Sequence, residues 1–346
     1  MSANPVLVEA LRGGAVESMH RGAVAVVDAD GRGVISLGDV SRAVFPRSAV
    51  KLLQALPLVA RGAADALELS DEELAIACAS HNGEPAHVAT ARGMLAKAGL
   101  DADALECGVH WPGLDTAARE LAAQGQAPDA LHNNCSGKHA GFLCLACVMH
   151  GREGLRGFTR GYVEPGHAVM REVTAALQAT TGADLAQAPV GIDGCSIPTY
   201  AIPLDRLALA FARVATGQGL SADHARAAQR LRQAIARAPF MVAGTGRFDT
   251  RVMQALGERV CCKVGAEGVY CAALPERGLG VAIKMDDGNT ARAAEVVMAA
   301  VIEALLRLGT AEAALLRSLS DLRLRNWRGT EVGNLRASKG LREALA

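Results

Sequence analysis

Apolar residues near both ends of the chain are patterned as β-strands. From Gly22 to Leu37 they alternate or run together, and the segment Asp28-Ala29-Asp30-Gly31 interrupts them as a short turn would. Further along, three short apolar runs are separated by glycine-containing turns: Arg259–Val264, Gly268–Ala273 and Leu279–Lys284. The pattern predicts a β-hairpin early in the chain and an antiparallel meander near the other end.

Helical spacing dominates the residues in between. It begins after Pro46, and Ser70-Asp71-Glu72-Glu73 has the form of a capping box that opens another helix. The alanine-rich helical stretches are Gly137–Met149, Pro165–Thr180 and Ser221–Ala238. A further helix is predicted after the meander, over Ala291–Leu308.

This layout predicts one domain of the α/β class, more exactly α+β, over residues 1–346. Strands at about 5–40 and 255–310 are expected to form one antiparallel sheet, with a helical region at about 45–250 inserted between them. No linker or internal repeat divides the chain. Residues 311–346 form a C-terminal extension of unknown role, either a mobile tail or a packing extension.

Composition narrows the classes of function. Aromatic residues make up 3% of the chain, and 36 basic residues balance 36 acidic ones, so stacking platforms for nucleic-acid bases are scarce and no net charge attracts a polyanion. The longest apolar stretch, Ala140–Met149, is too short to cross a membrane, and the first residues lack the pattern of a secretory signal. We therefore expect a cytoplasmic protein acting on a small molecule, with its nine cysteines reduced.

Ser48-Ala49-Val50-Lys51 places a hydroxyl and an amine three residues apart at a predicted helix start. A serine becomes a good nucleophile when a base takes its proton, and a lysine serves as that base only where burial or a second cation lowers its pKa. Taken alone, the tetrapeptide is also typical of an ordinary helix surface.

Two more motifs follow along the chain, and the order of the three motifs is informative. Ser80-His81-Asn82 fits Ser-x-Asn, and Lys263-Val264-Gly265 fits Lys-x-Gly on a predicted strand. Ser-x-x-Lys, Ser-x-Asn and Lys-x-Gly occur in this order in serine β-lactamases and penicillin-binding proteins, whose fold the predicted layout also resembles. The spacing differs from that of a β-lactamase, because 32 positions separate the two serines and 183 separate Ser80 from Lys263. The order therefore indicates a relative of that group.

Two polar turns each carry a cysteine. One leads into an apolar helix over residues 132–141 and contains Cys135, and the other spans residues 191–198 and contains Cys195. A pair of thiolates in two turns is one way to hold zinc, although buried cysteines also serve simply as core residues. Cys144 and Cys147 lie in an apolar helical run and are expected to be core residues.

Several blocks together resemble the thermolabile, inducible L-asparaginase family known from Rhizobium. They are the segments 46–51, 79–84, 133–141, 193–196 and 242–244, and the resemblance extends from about residue 5 to 310. The block Asn133-Asn134-Cys135-Ser136-Gly137-Lys138-His139 is the most specific of them. The resemblance implies a fold similar to serine β-lactamases and glutaminases, a homodimer, and hydrolysis of the L-asparagine side chain to aspartate and ammonia.

The resemblance also implies roles for individual residues. It makes Ser48 the nucleophile and Lys51 its base, and it pairs Ser80 with Lys263 as a second serine–lysine couple. It implies that Cys135, Lys138 and Cys195 bind zinc, which requires a neutral lysine. The residues expected to contact the substrate are Arg47, His81, Asp193 and His139.

Two other classes of function remain open at this point. One is a related amidase of the β-lactamase-like group, such as a glutaminase or a penicillin-interacting enzyme. The other is a zinc-dependent amino-acid sensor, in which the serines and lysines hold a ligand without turning it over.

Overall fold

The structure is a computed structural model that describes residues 3–346. Its strands, in chain order, are β1 (Val6–Arg12), β2 (Ala15–Asp28), β3 (Gly33–Leu37), β4 (Ala43–Val44), β5 (Val190–Ile192), β6 (Pro198–Tyr200), β7 (Ile202–Pro203), β8 (Cys261–Val264), β9 (Val269–Leu274), β10 (Leu279–Met285), β11 (Asp321–Arg325) and β12 (Glu331–Ala337). No helix within residues 3–346 has both the length and the hydropathy that a membrane span requires.

The α-helices are α1 (Lys51–Ala60), α2 (Ala63–Ala66), α3 (Asp71–Ile76), α4 (Pro85–Ala98), α5 (Asp115–Ala123), α6 (Ser136–His150), α7 (Leu155–Phe158), α8 (Ala168–Thr181), α9 (Leu204–Thr216), α10 (Ala222–Arg237), α11 (Pro239–Ala243), α12 (Phe248–Leu256), α13 (Glu295–Leu305), α14 (Thr310–Ser320) and α15 (Lys339–Leu345). A 3-10 turn at Arg47–Val50 precedes α1, and a π-helical turn at Thr290–Ala294 precedes α13.

The chain forms two compact units. The first contains the described residues up to Ala49, together with Ala201–Thr216 and Cys262–Ala346. Its sheet has the order β11-β12-β1-β2-β10-β9-β8, with β3 also paired to β2. The β2–β3 pairing is antiparallel, so the predicted hairpin is confirmed. Helix α9 packs on β10, β2 and β9 and covers one part of this sheet.

The pairing of the last strands explains why residues beyond 310 belong to the first unit. Strand β12 pairs antiparallel with β1 over Val8–Arg12, and β11 pairs antiparallel with β12. Ser338 continues this contact, because its hydroxyl donates to the Val6 carbonyl at 2.7 Å.

The second unit, Val50–Tyr200 with Gly217–Cys261, is mainly helical. Its helix α6 is deeply enclosed, since every residue from Ser136 to Cys147 is buried. Gly137 makes this possible, because a β-carbon there would lie 2.5 Å from the Ile76 carbonyl oxygen. The close approach brings the first turn of α6, with Lys138, beside the chain that follows α3.

Local signals predicted several of these elements correctly. Ser70 accepts from the Glu73 amide and the Glu73 carboxylate accepts from the Ser70 amide, so the capping box is confirmed. Such a cap contributes about 1 kcal/mol to stability. The mixed helical and antiparallel-sheet character of the fold is confirmed as well.

Candidate functional site

In the first unit, Ser48 lies in the 3-10 turn that leads into α1, and it is partly exposed. Arg47, directly before it, has φ +51°, in the left-handed region that side chains other than glycine rarely adopt. Holding a residue there costs about 1 kcal/mol or more, and such residues cluster at functional positions. The turn is also tied internally by the Ala49 amide, which donates to the Pro46 carbonyl at 3.1 Å.

Lys263 reaches the same part of the first unit on strand β8. Its side chain is 2% exposed, and its amine donates to the Val264 carbonyl at 2.8 Å. Gly265 ends this strand against the Ser48 turn: a β-carbon at Gly265 would lie 2.6 Å from the Pro46 carbonyl oxygen. The glycine of the Lys-x-Gly motif therefore has a structural reason. The end of the strand lies so close to the turn that a side chain at this position would not fit.

In the second unit, Lys51 is the first residue of α1 and is 1% exposed. Its amine donates to the Ala79 carbonyl at 2.5 Å and lies 3.0 Å from the Cys135 sulfur. The Ala79 carbonyl immediately precedes Ser80. Lys51 thus links α1 to the Ser80 turn and to the cysteine that begins α6.

Cys135, Lys138 and Cys195 converge in the second unit, all three being buried. The Lys138 amine lies 3.1 Å from the Cys195 sulfur, and the two thiols are hydrogen-bonded to each other. The hydrogen bond from Cys195 holds the pKa of the Cys135 thiol well below its usual range, and the nearby Lys51 and Lys138 act in the same direction. Burial opposes the charge on Lys138, but the two thiols outweigh it and raise its pKa.

These three side chains fit a zinc ion in their chemistry. Residues 3–346 hold no cluster of three or more histidine, cysteine, aspartate or glutamate side chains that suits a metal. A metal would therefore need the Lys138 amine beside the two thiols, and two sulfurs with one nitrogen are ligands that zinc accepts. Zinc at this position stays a prediction.

Ser80 and His81 form a turn that the protein holds by its backbone on both sides. The Ser80 amide donates to the Val242 carbonyl at 2.9 Å, and the His81 amide donates to the Asn134 carbonyl at 3.2 Å. Ser80 is 6% exposed. Its position is thus determined by α11 and by the residue before Cys135.

Both ring nitrogens of His81 are already hydrogen-bonded. The Gly83 amide donates to Nδ1 at 3.1 Å, so Nε2 carries the proton and donates to the Ser136 hydroxyl at 3.0 Å. Burial lowers the pKa of His81 well below its ordinary value, and His87 and Lys51 lower it further. A substrate contact through this ring stays a prediction, and it requires one of the two bonds to break.

His139 differs from His81 in having one nitrogen without a protein partner. Its Nδ1 lies 2.7 Å from the Tyr162 hydroxyl, which also accepts from the Glu106 amide. Within residues 3–346 its buried Nε2 has no hydrogen-bond partner. Buried polar atoms are seldom left unsatisfied, so this nitrogen is suited to a bound ligand. Burial, with Lys138 and Lys51, lowers the pKa of His139 well below its ordinary value.

Asp193 lies in the turn between β5 and β6, two residues before Cys195, and is partly exposed. The Gly194 amide donates to its carboxylate at 2.7 Å. The carboxylate lies near enough to Lys138 to favour the charged form of that lysine. Asp193 therefore places a negative charge at the edge of the cysteine–lysine cluster.

Sequence patterns gave no role to His87 or Tyr162, which contact His81 and His139 directly, or to Phe240, which contacts His87. The His87 ring stacks on His81, with ring centroids 4.9 Å apart, and Phe240 stacks on the other face of His87 at 4.7 Å. His87 and Phe240 lie 153 positions apart along the chain, so no local spacing reveals their contact.

Comparison with known proteins decides the family. The model of the L-asparaginase II family matches residues 8–337. The chain belongs to the L-asparaginase II family. The prediction of an asparaginase-family hydrolase is confirmed at this level, whereas the Rhizobium-type subclass stays a prediction. A search of curated proteins finds no significant match.

Two solved structures illustrate distant similarity to this asparaginase-family chain. A structure of Mglu in its tris and glutamate form is 15% identical, with 84% of this chain and 61% of that chain covered at a TM-score of 0.36. This chain thus spans about three fifths of the Mglu length. A β-lactamase from Mycobacterium bovis is 16% identical, with 80% of this chain and 90% of that chain covered, also at 0.36. The strands and helices described above establish the architecture without these similarities.

Proposed function

We propose that this protein hydrolyses the side-chain amide of L-asparagine to L-aspartate and ammonia. The family match over residues 8–337 carries the proposal. The chemistry of individual residues supports it, because a serine next to a strained residue and buried lysines are suited to amide hydrolysis through a covalent intermediate.

In the proposed reaction Ser48 is the nucleophile and Lys51 takes its proton. The Ser48 oxygen bonds to the side-chain amide carbon, the carbon–nitrogen bond breaks, and the proton passes to the departing ammonia. The β-aspartyl ester then reacts with water, which restores the Ser48 hydroxyl and releases aspartate. Ser80 and Lys263 act as the second serine–lysine couple and move protons in the same two steps.

Charged residues orient the substrate in this proposal. Asp193 accepts hydrogen bonds from the α-ammonium group, and Arg47 pairs with the α-carboxylate. His139 offers its unsatisfied Nε2 to a polar atom of the substrate. The two substrate groups carry opposite charges, so each is bound best by a different side chain of opposite charge.

Cys135, Lys138 and Cys195 would hold a zinc ion, which when bound supplies a Lewis acid that orients the substrate. The chain's own part is to present two thiols and an amine together, away from water. Lys51 also belongs to this arrangement, because its amine lies 3.0 Å from Cys135.

The finer description of the protein is part of the same proposal. We infer a serine β-lactamase-like fold, to which the pairing of the first and last strands in one sheet lends support. We also infer a Rhizobium-type asparaginase that acts in the cytoplasm as a homodimer in asparagine catabolism. We further propose that the chain is a single asparaginase domain.

Ammonia release from L-asparagine by the purified, zinc-supplied protein tests the function directly. The comparison variants are Ser48→Ala and Ser36→Ala, the latter changing an exposed serine of β3 in the same unit. We expect activity in the wild type and in Ser36→Ala, and its loss in folded Ser48→Ala. Wild-type protein that binds asparagine without turnover would support the sensor instead, and faster release from L-glutamine would support a glutaminase.

A further inference from the structure

Three aromatic rings stack in a column next to Ser80, within the second unit. His81, His87 and Phe240 form it, with nearly parallel neighbouring planes at 11° and 13°. His81 and His87 are 1% and 0% exposed. The two histidine rings are so enclosed that they have little freedom to move, and the partly exposed Phe240 ring covers the outer end of the column.

Hydrogen bonds fix the orientation of the His87 ring. The Glu84 amide donates to Nδ1 at 3.2 Å, which leaves the proton on Nε2, and Nε2 donates to the Phe240 carbonyl at 3.1 Å. Burial lowers the pKa of His87, in keeping with a neutral ring. His87 therefore has one defined tautomer and no nitrogen left for a ligand.

His87 thereby contacts the residue after Ser80 and the helix whose carbonyl accepts from the Ser80 amide. Through its ring it supports His81, the residue after Ser80. Through Nε2 it holds the Phe240 carbonyl, two residues before Val242, whose carbonyl accepts from the Ser80 amide. Helix α11 and the Ser80 turn are thus joined twice, once directly and once through His87.

The geometry points to His87 as a positioning residue for Ser80, acting through His81 on one side and α11 on the other. The assignment rests on the proposed function for the catalytic role of Ser80. His87 itself touches no reacting group. Its contribution is to keep Ser80 within the few tenths of an ångström that catalysis requires.

Two substitutions at His87 separate its ring from its hydrogen bond. His87→Phe keeps an aromatic ring between His81 and Phe240 but cannot donate to the Phe240 carbonyl. His87→Gln keeps a donor of similar reach but removes the ring. Phe240→Leu removes the outer ring, and Phe158→Leu is the matched control, because Phe158 stacks on His150 at the far end of α6.

Steady-state kinetics on L-asparagine should show kcat lowered about ten- to a hundredfold in His87→Phe and His87→Gln, with KM changed less than about twofold. Phe240→Leu should lose a smaller part of kcat, and Phe158→Leu should keep wild-type kcat. Melting temperatures identify any variant that fails to fold. Full kcat in both folded His87 variants would overturn the assignment.

Crystal structures of His87→Phe and His87→Gln provide a readout that does not depend on the reaction. The assignment predicts that the Ser80 amide and the Val242 carbonyl move apart from their 2.9 Å separation. Unchanged positions in both variants would refute it. If the wild type releases no ammonia from asparagine, the proposed function fails, and the crystal structures still decide whether His87 positions Ser80.

Discussion

Gly265 passes so close to Pro46 that a β-carbon on Gly265 would lie 2.6 Å from the Pro46 carbonyl oxygen. Both residues belong to the first unit; Gly265 is the last residue of the motif that carries Lys263, and Pro46 lies two residues before Ser48. The contact fixes the end of β8 against the turn that contains Ser48. Because the two backbones are so close, only glycine fits at position 265.

Replacing this glycine should therefore disturb activity. In Gly265→Ala the new methyl group must push the turn or the strand aside, which costs about 1–3 kcal/mol of stability and lowers kcat. Ammonia release and urea unfolding measure the two effects. Gly340→Ala is the control, because the helical Gly340 has nothing within 4 Å of its would-be β-carbon, and equal behaviour of the two variants would contradict the prediction.

Metal content should depend on the cysteines of the cluster and not on their neighbours in α6. Cys135→Ala should lower zinc affinity at least tenfold, because it removes one of three protein ligands. Cys144→Ala should keep it, since the Cys144 thiol donates to the Met94 carbonyl inside the core. Elemental analysis after dialysis gives zinc per chain. Wild-type protein that retains no zinc would remove the metal from the proposal.

Substrate affinity should depend on Asp193. Asp193→Asn removes the charge that faces the α-ammonium group, and the loss of a charged hydrogen bond of about 1.5–3 kcal/mol corresponds to a KM about ten- to a hundredfold higher. Asp184→Asn changes an exposed turn carboxylate that accepts from the Ala186 amide, and should leave KM unchanged. An unaltered KM in Asp193→Asn would assign the ammonium group to another residue.

The neutral histidine column predicts loss of stability in acid. Burial lowers the pKa of His87 in the folded protein, with its bond to Phe240 and nearby Glu84 acting the other way. Below about pH 6.5 the unfolded chain therefore takes up protons more readily than the folded one. The stabilisation is complete above that pH and is lost as the pH falls towards the folded pKa.

Urea unfolding at pH 7.5 and 5.5 checks this sign. The wild type should lose free energy of unfolding between the two values, and folded His87→Phe should lose less, because the titrating ring is gone. A variant with the same pH dependence as the wild type would show that other groups cause the loss.

Local patterns predicted what depends on neighbouring residues. The Ser70 capping box, the β2–β3 hairpin and the apolar α6 all follow from residues close together in sequence. Sequence patterns did not indicate strands β11 and β12, because β12 pairs with β1, more than 300 residues earlier in the chain. The seven residues of β12 combine apolar, polar and charged side chains without a clear period.

The candidate site was likewise predictable only where its residues lie in short local motifs. Short motifs and the family resemblance pointed to Ser48, Lys51 and Cys135, but gave no indication of the left-handed Arg47. The ring column could not be predicted from the sequence either, because stacking between His87 and Phe240 depends on where α11 packs in the folded chain. Residues that support a site through long-range packing have no fixed spacing to search for.

The glycine at position 137 also bears on attempts to redesign this protein. A library that varies the Asn133–His139 block to change substrate preference would place side chains where the Ile76 carbonyl already lies. Most such clones would be lost through misfolding before any selection for activity took effect. Position 137 should therefore be held as glycine in any such library.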